Sequence, residues 1–159
     1  MQRAIYPGSF DPMTNGHLDI IKNASRLFET CTVAVLHNPD KRGLFSVDER
    51  IDLIQEAVRP YGNVQVDSFS GLLADYARIQ NAHVVVRGLR SVQDFEAEVP
   101  MAHMNRRLNH DLVTVFLASS LEVADISSSL VKQIAMHGGD LSETVPPNVA
   151  VALKAKFAR

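Results

Sequence analysis

The sequence predicts an α/β fold: one Rossmann-like domain over residues 1–159, with a five-stranded parallel sheet and helices on both faces. Two observations lead there. Short apolar runs rich in valine and isoleucine alternate with segments of helical period, and such runs suit strands buried in a parallel sheet. Capping and helix-breaking residues fall between the segments, so the changes of period coincide with turns.

Each element can be justified in order. Ala4-Ile5-Tyr6 reads as the first strand, and Leu18, Ile21, Ala24 and Phe28 recur at helical spacing over residues 17–28. Residues 32–37, Thr-Val-Ala-Val-Leu-His, form the second strand. Ser46-Val47-Asp48-Glu49 matches a capping box and opens a helix that Pro60 closes. Residues 64–69 alternate like a half-exposed third strand, followed by a helix over 72–80. Three consecutive valines mark the fourth strand at 83–87, and a helix over 94–108 leads to the fifth at 113–117. Ser127 or Ser128 caps the next helix, which Gly138-Gly139 ends. Pro146-Pro147-Asn148 turns the chain into a last helix over 149–157. The order βαβαβαβαβαα implies right-handed crossovers, and ligands of such sheets bind beyond the carboxyl ends of the strands.

Composition narrows the function. A chain of 159 residues buries a core without staples, and 46% hydrophobic with 21% charged residues is ordinary for a globular protein. The net charge of -2 disfavours a nucleic-acid surface, yet basic residues cluster at Lys41-Arg42, Arg87/Arg90 and Arg106-Arg107. Small basic nests on a mildly acidic protein suit a small anionic ligand. Cys31 is the only cysteine, so no internal disulfide forms, and no apolar run approaches the length of a membrane span. With no signal-peptide pattern near Arg3, the expected compartment is the cytoplasm.

The first strand exits into Tyr6-Pro7-Gly8-Ser9-Phe10-Asp11-Pro12-Met13-Thr14-Asn15-Gly16-His17. Free amides at the helix start favour an anion there; Gly8 and Gly16 allow close approach, Ser9 offers a hydroxyl, and His17 offers a ring donor. A lone histidine is usually a packing residue, but this one falls where the fold expects ligand. No Walker loop and no G-x-G-x-x-G occurs. Arg87-Gly88-Leu89-Arg90 follows the fourth strand, where two guanidinium forks match phosphate oxygens better than surface solvation explains. Ser127-Ser128-Ser129 at a helix start makes a second anion nest, although N-capping alone needs one serine. The remaining histidines lack metal-ligand spacing, and no Ser-His-Asp or reactive-cysteine motif is present.

These motifs closely resemble those of the bacterial phosphopantetheine adenylyltransferases, within the nucleotidyltransferase superfamily that carries an H-x-G-H or T-x-G-H motif. The resemblance rests on Gly8-Ser9-Phe10-Asp11-Pro12 with Thr14-Asn15-Gly16-His17, on Val86-Arg87-Gly88-Leu89-Arg90, on Asp94-Phe95-Glu96, on Met101-Ala102-His103-Met104-Asn105, and on Ile126-Ser127-Ser128-Ser129-Leu130-Val131-Lys132. It spans nearly the whole chain, in matching order. The resemblance implies a single nucleotidyltransferase domain that moves AMP from ATP onto 4′-phosphopantetheine, giving dephospho-coenzyme A and pyrophosphate. It implies His17 and Lys41 at the transferring phosphate. Ser9, Lys41, Leu73 and Arg87 would then meet the acceptor. ATP would be met by Ser9, Phe10, His17, Gly88, Leu89, Arg90, Glu98, Val123, Ala124, Asp125, Ile126, Ser127, Ser128 and Ser129. The chain reads Val123-Ala124-Asp125 where many members carry an aromatic residue and a serine. Magnesium held mainly through the ATP phosphates, a homohexamer and coenzyme A feedback at the same pocket are further implications. No nucleic acid or membrane partner is implied. The rival readings are a nicotinamide-mononucleotide adenylyltransferase, a small cytidylyltransferase, or a non-catalytic nucleotide-binding module.

Overall fold

In the computed structural model, which describes residues 2–158, all five strands are parallel. They are β1 (Arg3–Gly8), β2 (Thr30–Leu36), β3 (Val64–Phe69), β4 (Val84–Leu89) and β5 (Val113–Ala118), in the spatial order β3-β2-β1-β4-β5. Six helices connect or follow them: α1 (Asn15–Leu27), α2 (Val47–Val58), α3 (Leu73–Ile79), α4 (Val92–Leu108), α5 (Ser128–Met136) and α6 (Pro147–Phe157). Among the described residues no helix is long and apolar enough to cross a membrane.

Strand alternation decides which helix covers which face. Ala4, Tyr6, Cys31, Val33, Val35, Val84 and Val86 point to one side and pack with Ile20, Ile21 and Ala24 of α1 and Ile54 and Val58 of α2. Ile5, Ala34, Phe69 and Val85 point to the other and pack with Leu73, Tyr76 and Ala77 of α3. Asn109, just past α4, donates to the Ala74 carbonyl at 3.3 Å, which holds the end of α4 against α3. A third apolar cluster joins Val131 and Ala135 of α5 to Val149 and Leu153 of α6 around Phe45. Fully burying an aliphatic side chain contributes about 1.5–3 kcal/mol, so these faces fix the helices more firmly than their weak propensities do.

The order reverses at β1, which lies between β2 and β4. β1 and β2 stay in register from Arg3↔Thr30 to Gly8↔Val35. β1 and β4 are paired only at Ala4↔Val84 and Ile5↔Val85. Beyond that point the two strands part, and a crevice opens between Gly8 and Arg87.

Several boundaries differ from expectation. β4 continues through Leu89, because Gly88↔Leu117 and Leu89↔Ala118 pair with β5 after Arg87↔Phe116; the expected end at Arg87 thus falls two residues short. α4 starts at Val92, since the Ser91 side chain accepts from the Asp94 amide and so caps the helix earlier. α1 starts at Asn15, capped by Thr14, and a short 3-10 turn over Leu121–Val123 precedes α5.

Candidate active site

Two adjoining cavities occupy the crevice. The smaller, about 270 Å³, lies over the exits of β1 and β4 and is lined by Ser9, Phe10, His17, Arg87, Gly88, Arg90, Glu98, Ile126, Ser127 and Ser128, among others. The larger, about 1270 Å³, runs toward β2 and β3 past Lys41, Leu73 and Ser129. Ser9, Arg87, Glu98 and Ser128 border both.

His17 is the third residue of α1, and its ring completes a reciprocal cap. Nδ1 accepts the Thr14 amide at 3.0 Å, while Thr14 Oγ1 accepts the His17 amide at 3.3 Å. An accepting Nδ1 places the ring proton on Nε2, leaving that nitrogen as a hydrogen-bond donor on a cavity wall. Burial, then the nearby Arg90 and Arg87 charges, push its pKa down to about 4, so the imidazole is neutral at pH 7. Phe10 meets the ring edge-on at 4.9 Å between centroids and meets Tyr6 at 5.4 Å. Phe10 adopts φ 48, a left-handed conformation that a bulky residue holds at a cost of about 1–3 kcal/mol. Its packing on both sides offsets that cost and keeps the histidine ring in place.

The arginines are oriented by carboxylates. Arg87 donates through Nε and Nη2 to both oxygens of Glu98, at 2.7 and 2.6 Å, and through Nη1 to the Pro7 carbonyl at 2.7 Å. Burial alone would weaken the guanidinium charge, but the Glu98 bonds outweigh it and hold the pKa above its ordinary range. Arg90 donates its amide and Nε to Asp94, at 2.9 and 3.3 Å, and Nη1 to the Ile126 carbonyl at 3.1 Å. Glu98 is thereby occupied by Arg87, and Arg90 joins the end of β4 to the serine segment. Gly88 is required here: a Cβ on it would meet Ile20 Cγ1 of α1 at 2.9 Å.

The serines divide their roles. Ser127 caps α5 by accepting from the Leu130 amide at 3.2 Å, and the Ser128 hydroxyl donates to the Pro12 carbonyl at 2.8 Å. Ser129 is exposed at the edge of the larger cavity. The expected nest of three hydroxyls is thus partly structural. Lys41 is exposed in the turn after β2, and Leu73 opens α3. Leu89, Val123, Ala124 and Asp125 line neither cavity. Val123 instead packs its side chain on the α5/α6 cluster, and its carbonyl lies 3.4 Å from where a Cβ on Gly16 would be.

Comparison with known proteins decides the family. The cytidylyltransferase-like family model matches residues 5–134. The phosphopantetheine adenylyltransferase of Syntrophotalea carbinolica is 54% identical over 154 residues, covering 97% of this chain and 93% of its own. That of Clostridium kluyveri is 52% identical, covering 99% of this chain and 96% of its own, and that of Alkaliphilus metalliredigens is 51% identical, covering 98% and 99%. The chain belongs to the phosphopantetheine adenylyltransferase family. A crystal structure of a Vibrio parahaemolyticus protein assigned as a nicotinate-nucleotide adenylyltransferase superposes with a TM-score of 0.70 over 100% of this chain and 98% of its own. At 16% identity it shows the fold alone.

Residues that sequence reasoning passed over complete this family member's site. Thr14 carries the partner half of the histidine cap, and its spacing three residues before His17 was the available signal. Asp19 of α1 accepts the Ser120 amide and hydroxyl, both at 2.9 Å, and so ties the segment after β5 to α1. Asp11 and Arg50 meet under the loop after β2. They are far apart in sequence, and no local pattern links them.

Proposed function

We propose that this chain transfers the adenylyl group of ATP to 4′-phosphopantetheine, releasing pyrophosphate and forming dephospho-coenzyme A, and that residues 1–159 act as one nucleotidyltransferase domain. The observation that carries the reading is a neutral imidazole, donor-ready at Nε2, sharing one cavity with two guanidinium groups where β1 and β4 part. The larger cavity supports the acceptor: Leu36, Phe69, Leu73 and Met101 offer apolar contact for a long flexible arm, and Lys41 offers charge.

In this reading an oxygen of the acceptor phosphate attacks the α-phosphorus of ATP. The bond to the bridging oxygen breaks, and that oxygen leaves with the electron pair as part of pyrophosphate. The acceptor phosphate is already ionised near neutral pH, so neither a base nor a covalent nucleophile is needed. Catalysis reduces to alignment and stabilisation of developing charge. His17 donates from Nε2 to an α-phosphate oxygen and remains neutral throughout. Lys41 bridges the acceptor phosphate and the α-phosphate, while Ser9 and Arg87 hold the acceptor phosphate. Arg90 and the start of α5 receive the departing pyrophosphate, with adenosine toward Ile126, the one residue of the 123–126 stretch that lines the smaller cavity.

Magnesium belongs to this reading as a passenger of the triphosphate. The carboxylates bordering the two cavities do not form a cage for it. Asp11 accepts from the Leu44 and Phe45 amides, Glu49 pairs with Lys156, Asp94 with Arg90, and Glu98 with Arg87. Bound on the phosphates and water, the ion shields triphosphate charge. The proposal extends to a cytoplasmic homohexamer with coenzyme A feedback at the same pocket. Exposed Val92, Phe95, Met101 and Met104 on α4 support self-association.

The test is pyrophosphate release from ATP with phosphopantetheine present and absent, alongside nicotinamide mononucleotide and a CTP arm. Release dependent on phosphopantetheine and ATP supports the proposal. Release with another acceptor, or binding without release, refutes it.

A further inference from the structure

Asp11 is 8% exposed, yet no step above uses it. Its carboxylate receives four groups from three parts of the chain. Oδ2 accepts the Leu44 amide and Oδ1 the Phe45 amide, both at 2.8 Å, which pins the far end of the loop carrying Lys41. Arg50 of α2 approaches Oδ1 at 3.5 Å, and Lys132 of α5 approaches Oδ2 at 3.6 Å. Arg50 also donates Nε to the Phe45 carbonyl at 2.9 Å and Nη1 to the Ser9 carbonyl at 3.2 Å, spanning the two loops directly.

A second observation, independent of these bonds, marks the same point. A Cβ on Gly43 would lie 1.9 Å from Arg50 Nη2 and 2.9 Å from Asp11 Oδ2, so the loop backbone rests directly on the ion pair. The start of α5 is fastened beside it, where the Ser128 hydroxyl donates to the Pro12 carbonyl at 2.8 Å.

We infer that Asp11 is a positioning residue for adenylyl transfer: its carboxylate fixes the Lys41 loop and, through Lys132, the second turn of α5 to the exit of β1, setting the separation between the acceptor side and the pyrophosphate side of the site. The inference rests on the proposed function. The physical reason is that Lys41 is exposed on a turn, so its position depends on where the backbone of that loop is anchored. A carboxylate accepts both amides and both cations at once. The carboxamide of Asn keeps the shape, but only one oxygen accepts and the charge is lost.

The experiment compares wild type with Asp11→Asn and Gly43→Ala. It measures kcat and the KM for each substrate by pyrophosphate release, and hydrogen exchange at the Leu44 and Phe45 amides. Misplacing a group by about 1 Å costs roughly 100-fold in rate, so kcat is expected to fall by about that much in both variants. The KM for ATP is expected to stay within roughly threefold, because the lost interaction aligns the reacting groups and does not bind nucleotide uniformly. Exchange at Leu44 and Phe45 is expected to quicken at least about tenfold while the amides of β1 and β2 remain protected. If Asp11→Asn does not fold, Gly43→Ala decides, since it displaces the loop without removing a charge. Unchanged exchange at those amides overturns the anchor, and kcat within threefold of wild type despite quickened exchange overturns its part in catalysis. Failure of the wild-type enzyme to release pyrophosphate with phosphopantetheine sinks the function reading and with it the catalytic part. The exchange data still judge the anchor separately.

Discussion

On the proposed function His17 serves as both helix cap and reaction donor, and two substitutions separate these tasks. His17→Ala removes both. His17→Gln keeps an oxygen that can accept the Thr14 amide, since Gln is a regular third-position partner in a capping box, but it withdraws the imidazole N–H from the cavity. Losing a preorganised donor raises the barrier by about 2.7–4 kcal/mol, so both variants are expected to lose roughly 100- to 1,000-fold in kcat. Leaving the Thr14 amide without its partner costs about 1–3 kcal/mol, which at roughly 2–4 °C per kcal/mol for a chain of this size lowers the Tm of His17→Ala well below that of His17→Gln. Acid dependence supplies a third reading. The folded ring takes up its proton only at about 4, against an ordinary 6.5, so between these values the unfolded chain binds the extra proton and stability rises with pH. The contribution is complete above pH 6.5, lost as pH falls toward 4, and amounts to roughly 3 kcal/mol at most. Thermal melts from pH 4 to 7 are therefore expected to be steeper in wild type than in His17→Gln. Turnover within threefold of wild type in either variant refutes the donor role. Equal Tm for the two variants refutes the cap, and parallel pH profiles refute the buried neutral ring.

Three other perturbations test the surroundings of the ring. Arg87→Lys keeps a charge but loses the fork to Glu98; at about 1.5–3 kcal/mol for hydrogen bonds to charged groups, the expected outcomes are at least a tenfold rise in the acceptor KM and a lower Tm, checked by steady-state kinetics and calorimetry. Gly88→Ala drives a methyl into Ile20, and a denaturant titration is expected to show a loss of about 1–3 kcal/mol typical of overpacking. Asp19→Asn loosens the tether to Ser120 and is expected to raise the KM for ATP several-fold with kcat largely retained, as initial-rate kinetics will show.

The sheet was legible in the sequence because buried parallel strands are written as compact apolar runs. Val84, Val85 and Val86 form such a run, and their alternate burial on two faces follows from strand geometry alone. The end of β4 was harder to read. Gly88 looks like a turn residue, yet pairing with β5 carries the strand through it to Leu89. α4 was bounded only approximately, since Val92, Met101 and Met104 are exposed and blur the period that burial normally imposes. The Thr14–His17 cap is local and its three-residue spacing carries a signal, but an expected helix start at His17 misses it. The division of labour among Ser127, Ser128 and Ser129 could not be read off spacing, because it depends on the Pro12 carbonyl brought in from another loop. The pairing of Arg87 with Glu98 is equally a product of folding, joining β4 to the middle of α4.

The narrow seam between β1 and β4 has a consequence for how this enzyme meets its substrates. Two strands stitched at Ala4 and Ile5 and released beyond them behave like the legs of a drawing compass, joined at one end and spread at the other by the sheet's own twist. The gap at the tips is thus set by backbone wiring before any nucleotide arrives. On the proposed function, polyphosphate would enter a slot whose width is already established, and little of its binding energy would go into prising the scaffold apart.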